Sequence, residues 1–302
     1  MKKKRKSNNI YDESITIENL YNMWSIIRKT CKNKMEVYYF SLNLNTNIMN
    51  IYNVLKNKSY KPSKFKTFMI FEPKPRLVMS QTVTDKLVNH FVANYYLIPF
   101  LNNSLIDSNV ATRKNKGSSY AMNLLKKYFN KILINNPNKE IYCLKMDVSK
   151  YFYSISHRHL LEMLERKIKD KDVINLIRII ISETNNDYVN EAIKYYNNLY
   201  DIVIPYYISN TGLSIGAMSS QFLAIFYLND IDHYIKEQLK CKYYIRYMDD
   251  LLILDTDKEK LKEYYCIINE KIEELDLKIN RKSNIYRSSK GFSFLGYTYK
   301  II

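Results

Sequence analysis

Two adjacent aspartates, Asp249 and Asp250, sit between apolar arms that run from Tyr243 to Leu254. Neighbouring carboxylates in apolar surroundings repel each other and lose hydration, so the fold has to give them a compensating cation or a solvated turn. The arms predict a β-hairpin with the acids at its turn. Asp is itself a favoured turn residue, which keeps a plain solvated turn open. A third acid has similar company, because the apolar run from Ile141 to Val148 ends on Asp147. Asp147 and Asp249 lie 102 residues apart, so only a fold that joins two strand ends lets them share a ligand. A pair of Mg²⁺ ions would compensate such acids, since hard cations take oxygen ligands and two-metal sites stabilise both oxygens of a phosphoryl transfer.

Helical periodicity dominates the rest of the chain. Val88, Phe91, Val92 and Tyr95 share one face ahead of Pro99, and Leu228, Ile231, Ile235 and Leu239 share another. Thr256 and Glu259 form a capping-box signature before Leu261, Tyr264, Ile268, Ile272 and Leu275. The Asn-rich stretches 43–53 and 184–198 are expected to be loops or loosely helical connections. Segment 276–302 has more strand character, with Gly291 and Gly296 marking turns. The expected class is α/β (α+β), with helices covering a small sheet.

Charge divides the chain. Residues 1–140 carry 24 basic and 8 acidic side chains, whereas 141–302 carry 23 and 22, so nearly all of the net +17 lies in the first part. That part suits a polyanion. Heavy use of Lys, Asn, Ile and Tyr also reflects AT-rich codons, which discounts some of the excess. Cys31, Cys143, Cys241 and Cys266 form no CxxC pair, so neither a zinc site nor a disulfide framework is suggested and a reduced, cytoplasmic setting is expected. The basic start Met1–Lys6 is followed by Asp12, Glu13 and Glu18 rather than an apolar run, and no stretch of about 18 apolar residues occurs. Export, a membrane span and membrane partners are therefore not expected.

Tyr247-Met248-Asp249-Asp250 resembles the YxDD motif of reverse transcriptases, and further motifs of that family follow in order over residues 71–299. Phe71–Val78 and Ser108–Gly117 resemble the two fingers motifs, and Lys145–Ile155 the motif with the first catalytic aspartate. Gly212–Gln221 resembles the template- and nucleotide-positioning motif, Leu277–Ser283 the palm lysine motif, and Gly291–Tyr297 the primer grip. The resemblance implies a right-hand polymerase fold, with an N-terminal extension and basic fingers over 1–140 and a palm over 141–302. It implies an RNA-directed DNA polymerase, with an RNA template, a DNA or RNA primer and dNTPs as partners.

The resemblance also assigns roles. Asp147, Asp249 and Asp250, with the Val148 backbone carbonyl, would hold two Mg²⁺ ions, for which Mn²⁺ can substitute. Lys282 would protonate departing pyrophosphate, a general-acid task that demands hydrogen-bond reach. Lys74, Arg76 and Arg113 would neutralise the triphosphate, and Ser149, Lys150, Tyr151, Ile215, Gly216 and Gln221 would complete the nucleotide site. Glycine at 216 would let backbone approach the template or nucleotide. Phe152 would be a steric gate against a ribose 2′-hydroxyl, although an isolated aromatic is ordinarily core. Phe294, Leu295 and Gly296 would grip the primer.

Many family members carry Leu-Pro-Gln-Gly where this chain has Leu213-Ser214-Ile215-Gly216, and Ser-Pro where it has Ser220-Gln221. The Ile-Gly and Ser-Gln pairing resembles diversity-generating retroelement and bacterial defence-associated enzymes, with Ile215 expected to loosen base selection. Ser214 departs from both patterns. The motifs end five residues before Ile302, where relatives continue into a helical thumb, so no thumb is evident: either the sequence is a truncated catalytic core, or an accessory protein or structured RNA holds the duplex. Two other readings are a template-independent nucleotidyltransferase and a catalytically idle, polymerase-fold RNA-binding or maturation factor. Adjacent acids give mere RNA binding no advantage near a phosphate backbone.

Overall fold

Side chains at alternate positions of a strand face opposite ways, so each strand below sorts its residues onto two faces. The computed structural model describes residues 9–72 and 74–300; the basic start Met1–Lys6 lies outside them. The elements gather into two compact units. Among the described residues, one comprises those up to Asn103 with Phe152–Leu223, and the other Ser104–Tyr151 with those from Ala224 onward. Each unit is built from two separate stretches of the sequence. The Ser118–Asn135 helix belongs to the second unit, because its Ala121, Leu125, Phe129 and Ile132 share a buried cluster with strand residues Cys143, Ile245, Leu252 and Leu254.

The first unit is mainly helical. Strands β1 (Lys66–Ile70) and β2 (Arg76–Ser80) form an antiparallel hairpin in it, with Met69 opposite Leu77 and Ile70 opposite Arg76. Leu77 and Met79 point inward to a cluster with Phe65, Val189, Ile193, Ile204 and Tyr207. Full burial of such side chains contributes roughly 1.5 to 3 kcal/mol each.

Both Asn-rich stretches are regular helices, Leu44–Lys56 and Asp187–Tyr200, rather than loops. Ile48, Ile51 and Leu55 line one buried stripe and Val189 and Ile193 another. That stripe outweighs the weak helix preference of Asn, since tertiary packing supplies most helical stability. The helix Val83–Phe91 passes into a π-helical turn, Val92–Leu97. The wider turn rotates the buried face by one position, so Tyr96 is buried where the regular period pointed to Tyr95.

The second unit holds a four-stranded antiparallel sheet in the order β4-β5-β3-β6, made of β3 (Tyr142–Asp147), β4 (Tyr243–Tyr247), β5 (Asp250–Asp255) and β6 (Asn284–Arg287). One face, bearing Cys143, Ile245, Leu252 and Leu254, packs on the Ser118–Asn135 helix. The opposite face, bearing Leu144, Met146, Leu251 and Ile253, is buried as well. The helix Lys258–Glu273 packs on β3, β5 and β6 and buries Leu261, Tyr264, Ile268 and Ile272. Its N-cap is Asp257, not Thr256, because the Asp257 carboxylate accepts from the amides of both Glu259 and Lys260 at 2.9 and 3.1 Å. A charged acceptor reaching two orphan amides prevails over a neighbouring hydroxyl.

The hairpin β7 (Phe292–Phe294) and β8 (Tyr297–Tyr299) closes through Leu295 and Gly296. Both turn residues have positive φ, +51° and +82°, as a two-residue type I′ turn requires. No helix among the described residues is long and apolar enough to cross a membrane.

Candidate active site

The two apolar arms around Asp249 are β4 and β5, and the acids sit where that hairpin turns. Asp250 is the first residue of β5 and stands opposite Asp147, the last residue of β3. Three strand ends, those of β3, β4 and β5, thus come together at one end of the sheet. Cross-strand partners project to the same face, so the Asp147 and Asp250 carboxylates share the face that carries Cys143 and Leu252. The Val148 amide donates to the Asp249 carbonyl at 3.3 Å, which ties the turn to the end of β3.

The segment after the Lys258–Glu273 helix docks against the same strand end. The Ser149 amide donates to the Lys278 carbonyl at 2.8 Å, the Asn280 amide to the Asp147 carbonyl at 2.7 Å, and the Asp147 amide to Ser283 Oγ at 3.0 Å. Asn280 Nδ2 also donates to Asp147 Oδ2 at 2.9 Å. Asn280 therefore orients one carboxylate directly, a role not assigned from the sequence. Lys145, two residues before Asp147 on the same face, was also missed. Its Nζ lies 3.8 Å from Asp250 Oδ1 and donates to the Ser293 carbonyl of β7 at 3.2 Å.

Lys282 is exposed in the turn beyond Asn280, with its amide bonded to Asn280 Oδ1 at 3.1 Å. Lys150 takes φ +50° on the way out of β3, and the buried Tyr151 donates its hydroxyl to the Ala224 carbonyl at 2.6 Å. Burial pushes the Tyr151 phenol well above its ordinary pKa, so it stays a neutral donor. Arg113 holds its own loop, donating from Nη1 to the carbonyls of Ile106 and Asn109 at 2.6 and 3.0 Å. Phe294 is core, while Leu295 and Gly296 form the hairpin turn beyond it.

The remaining expected residues belong to the first unit. Lys74 and Arg76 are exposed at the turn and start of the β1–β2 hairpin. Phe152 is half-buried and outside the core, and its carbonyl accepts from the Leu213 amide at 2.7 Å. Ile215 is half-buried, and its carbonyl accepts from Met79 of β2 at 2.9 Å. Gly216 has φ +121°, and a Cβ there would lie 3.1 Å from the Met79 carbonyl. The close approach found at Gly216 is thus to strand β2. Gln221 is half-buried near the start of the Met218–Tyr227 helix.

Among the described residues, no three His, Cys, Asp or Glu side chains gather as a metal-holding group. The donor set at the strand ends is instead facing carboxylates with backbone carbonyls nearby. This set fits a hard cation that takes one or two carboxylates and completes its shell from substrate phosphates and water, as Mg²⁺ commonly does.

A profile described as reverse transcriptase (RNA-dependent DNA polymerase) matches residues 61–299. The COX1/OXI3 intron 2 protein of Saccharomyces cerevisiae (strain ATCC 204508 / S288c) is 27% identical over 215 residues, covering 56% of this chain and 25% of that protein. Among solved structures, apo telomerase from Candida tropicalis, truncated of its C-terminal domain, superposes with a TM-score of 0.54 at 13% identity, over 83% of this chain and 57% of that one. Telomerase from Candida albicans in complex with a fragment of telomeric RNA gives 0.55 at 12% identity, over 80% and 46%. The chain spans about a quarter of the curated relative and about half of the solved chains. At these identities the likeness to telomerase is one of fold, and it agrees with the polymerase architecture expected from the motifs.

Proposed function

Because the chain belongs to the reverse transcriptase (RNA-dependent DNA polymerase) family, we propose that it extends DNA on an RNA template, with Asp147, Asp249 and Asp250 as its catalytic acids. Domains of this family generally use divalent metal ions. The observation that carries the reading is the register pair Asp147 and Asp250 at the joined ends of β3 and β5, with Asp249 on the turn between β4 and β5.

In this reading, Asp147, Asp249 and Asp250, with the Val148 carbonyl, would hold Mg²⁺. Two such ions would stabilise the attacking 3′-oxygen and the departing pyrophosphate oxygen. Asn280 keeps Asp147 oriented through its 2.9 Å bond. Lys145, beside Asp250, limits the repulsion among the acids before a substrate arrives. Lys74 and Arg76 on the β1–β2 hairpin would meet the triphosphate, for which exposed cations are suited. Lys282 would supply the proton to pyrophosphate, and Phe152 would exclude ribose.

The RNA template is supported by the net +16 of residues 1–140, since neutralised phosphates supply most sequence-independent affinity. For the setting, the Ile215-Gly216 and Ser220-Gln221 pairing favours a bacterial retroelement or phage-defence enzyme.

The test supplies purified protein with primed and unprimed RNA, dNTPs or rNTPs, and Mg²⁺ or Mn²⁺, and sequences the products. DNA complementary to the RNA is the expected product. Metal-dependent tails that ignore the template would replace this reading with template-independent nucleotidyl transfer. RNA binding without any incorporation would leave an idle polymerase-fold binder.

A further inference from the structure

The turn that carries Asp249 rests on a buried ion pair that none of the assigned motif roles includes. Met248, the first residue of the two-residue turn, takes φ +55°. Such hairpin turns call for a left-handed first position, which glycine fills without strain and a bulky side chain does not. A strained position of this kind persists only where its surroundings hold it. Here the holder is Arg246, two residues earlier on β4, whose Nη1 donates to the Met248 carbonyl at 2.8 Å.

Alternation along β4 explains why Arg246 faces inward. It shares a face with the buried Tyr244, opposite to the face of Ile245 and its helix. Its guanidinium is fully buried, as is its partner Asp232 on the short Asn229–His233 helix. Nε and Nη2 donate to the two Asp232 oxygens at 2.7 and 2.6 Å, a bidentate fork, and Nη2 also reaches the Ile225 carbonyl at 2.7 Å. Tyr244 donates its hydroxyl to Asp232 Oδ1 at 2.7 Å, and Asn109 Nδ2 lies 3.4 Å from Oδ2. The Arg246 backbone is fixed too, by bonds with the Ser108 carbonyl and the Val110 amide at 2.9 and 3.0 Å.

We propose that Arg246 is a positioning residue for the acidic turn, with Asp232 locking the guanidinium plane so that its third arm fixes the Met248 carbonyl and hence the direction of Asp249. A buried ion pair is weak evidence for a stability role, because desolvation offsets much of the attraction. What the arrangement does specify is direction: one planar group whose fork is held by a carboxylate and whose remaining arm reaches the strained turn. A lysine would keep the charge and lose that geometry, since an ammonium is a point charge without a planar fork. The inference rests on the polymerase reading of Asp147 and Asp249.

The experiment uses the full chain and begins with wild type, whose failure to incorporate dNTPs with Mg²⁺ would remove the polymerase reading before any variant is made. Three variants follow: Arg246→Lys, Asp232→Asn, and the double change Arg246→Met with Asp232→Leu, which removes both buried charges together. Each is measured for melting temperature, RNA affinity, kcat and KM for dNTP. Mn²⁺ affinity is also read directly by electron paramagnetic resonance, with primer–template and a non-hydrolysable dNTP present. In at least one variant that melts like wild type, kcat should fall on the order of 10- to 100-fold. Mn²⁺ affinity should weaken several-fold there, while KM and RNA affinity stay near wild type. Folded variants whose kcat and Mn²⁺ affinity match wild type overturn the proposal, as does a kcat loss with unaltered Mn²⁺ affinity. Failure of all three to fold assigns the pair to holding the fold and overturns it equally.

Discussion

Asp147 and Asp250 face each other across the β3–β5 ladder, although they lie 103 positions apart along the chain. Asn280 holds Asp147 from one side at 2.9 Å, and Lys145 approaches Asp250 to 3.8 Å. Each facing carboxylate therefore has its own nitrogen partner, Asn280 for Asp147 and Lys145 for Asp250.

Replacing Asp249 and Asp250 together by alanine should abolish metal-dependent dNTP incorporation, a loss of at least about 10³-fold for a reaction that depends on metal-held charge. RNA affinity should stay close to wild type, because phosphate contacts come from basic side chains elsewhere. Filter binding and primer extension on the same preparation check both halves. Synthesis surviving in the double variant would end the assignment.

Phe152 is half-buried and absent from the core, as a side chain that meets a substrate would be. Phe152→Ala or Phe152→Val should admit rNTPs while keeping much of the dNTP activity, since the smaller side chain no longer overlaps a 2′-hydroxyl. Parallel kcat/KM values for dNTP and rNTP, with a melting curve, are the measurement. An unaltered sugar preference with a lowered melting temperature would make Phe152 a packing residue, for which truncation costs roughly 3 to 5 kcal/mol.

Gly216→Ala should destabilise the protein by roughly 1 to 3 kcal/mol, because a left-handed backbone position and the Met79 carbonyl both oppose the added carbon. Gly296 is the control. Its φ is also positive, +82°, but nothing lies within 4 Å of a Cβ there, so its alanine variant should lose less. Thermal or urea unfolding of the two variants side by side decides it, and equal losses would show that the contact with β2 contributes nothing.

Stability should fall on the acid side through His157. Burial lowers its pKa below the ordinary value of about 6.5, against the smaller opposite pull of its 2.7 Å bond to the Gly212 carbonyl. The unfolded chain then takes up the proton first. The contribution is complete above about pH 6.5 and is lost as pH drops below it. His90 is lowered by burial as well, so wild type alone does not isolate the effect. His157→Gln, which keeps an N–H donor for Gly212, should flatten the slope of unfolding free energy against pH below about 6.5. An unchanged slope would assign the acid sensitivity elsewhere.

Local chemistry made much of this legible in the sequence. The alternating arms around Asp249 dictate the β4–β5 hairpin, the run ending on Asp147 dictates β3, and the order of the motifs dictates the family. These signals are short-range, set by the two-residue period of a strand and by turn chemistry. Three readings failed for reasons equally physical. Asn propensity yielded to a buried stripe in Leu44–Lys56, a π turn moved burial from Tyr95 to Tyr96, and Asp257 took the cap assigned to Thr256.

Tertiary structure alone decided the partnerships. Nothing near Asn280 in the sequence points to Asp147, 133 positions away, and nothing in Lys145 points to Asp250. Arg246 and Asp232 lie 14 positions apart in the sequence, yet both are fully buried against each other, with Arg246 bonded to the acidic turn at Met248. A side chain's type fixes which bonds it can make, but the partner arrives only when the strands pair and the helices pack on them. That long-range step brought three separated aspartates to one end of a sheet and placed a buried guanidinium within hydrogen-bond reach of the Met248 carbonyl.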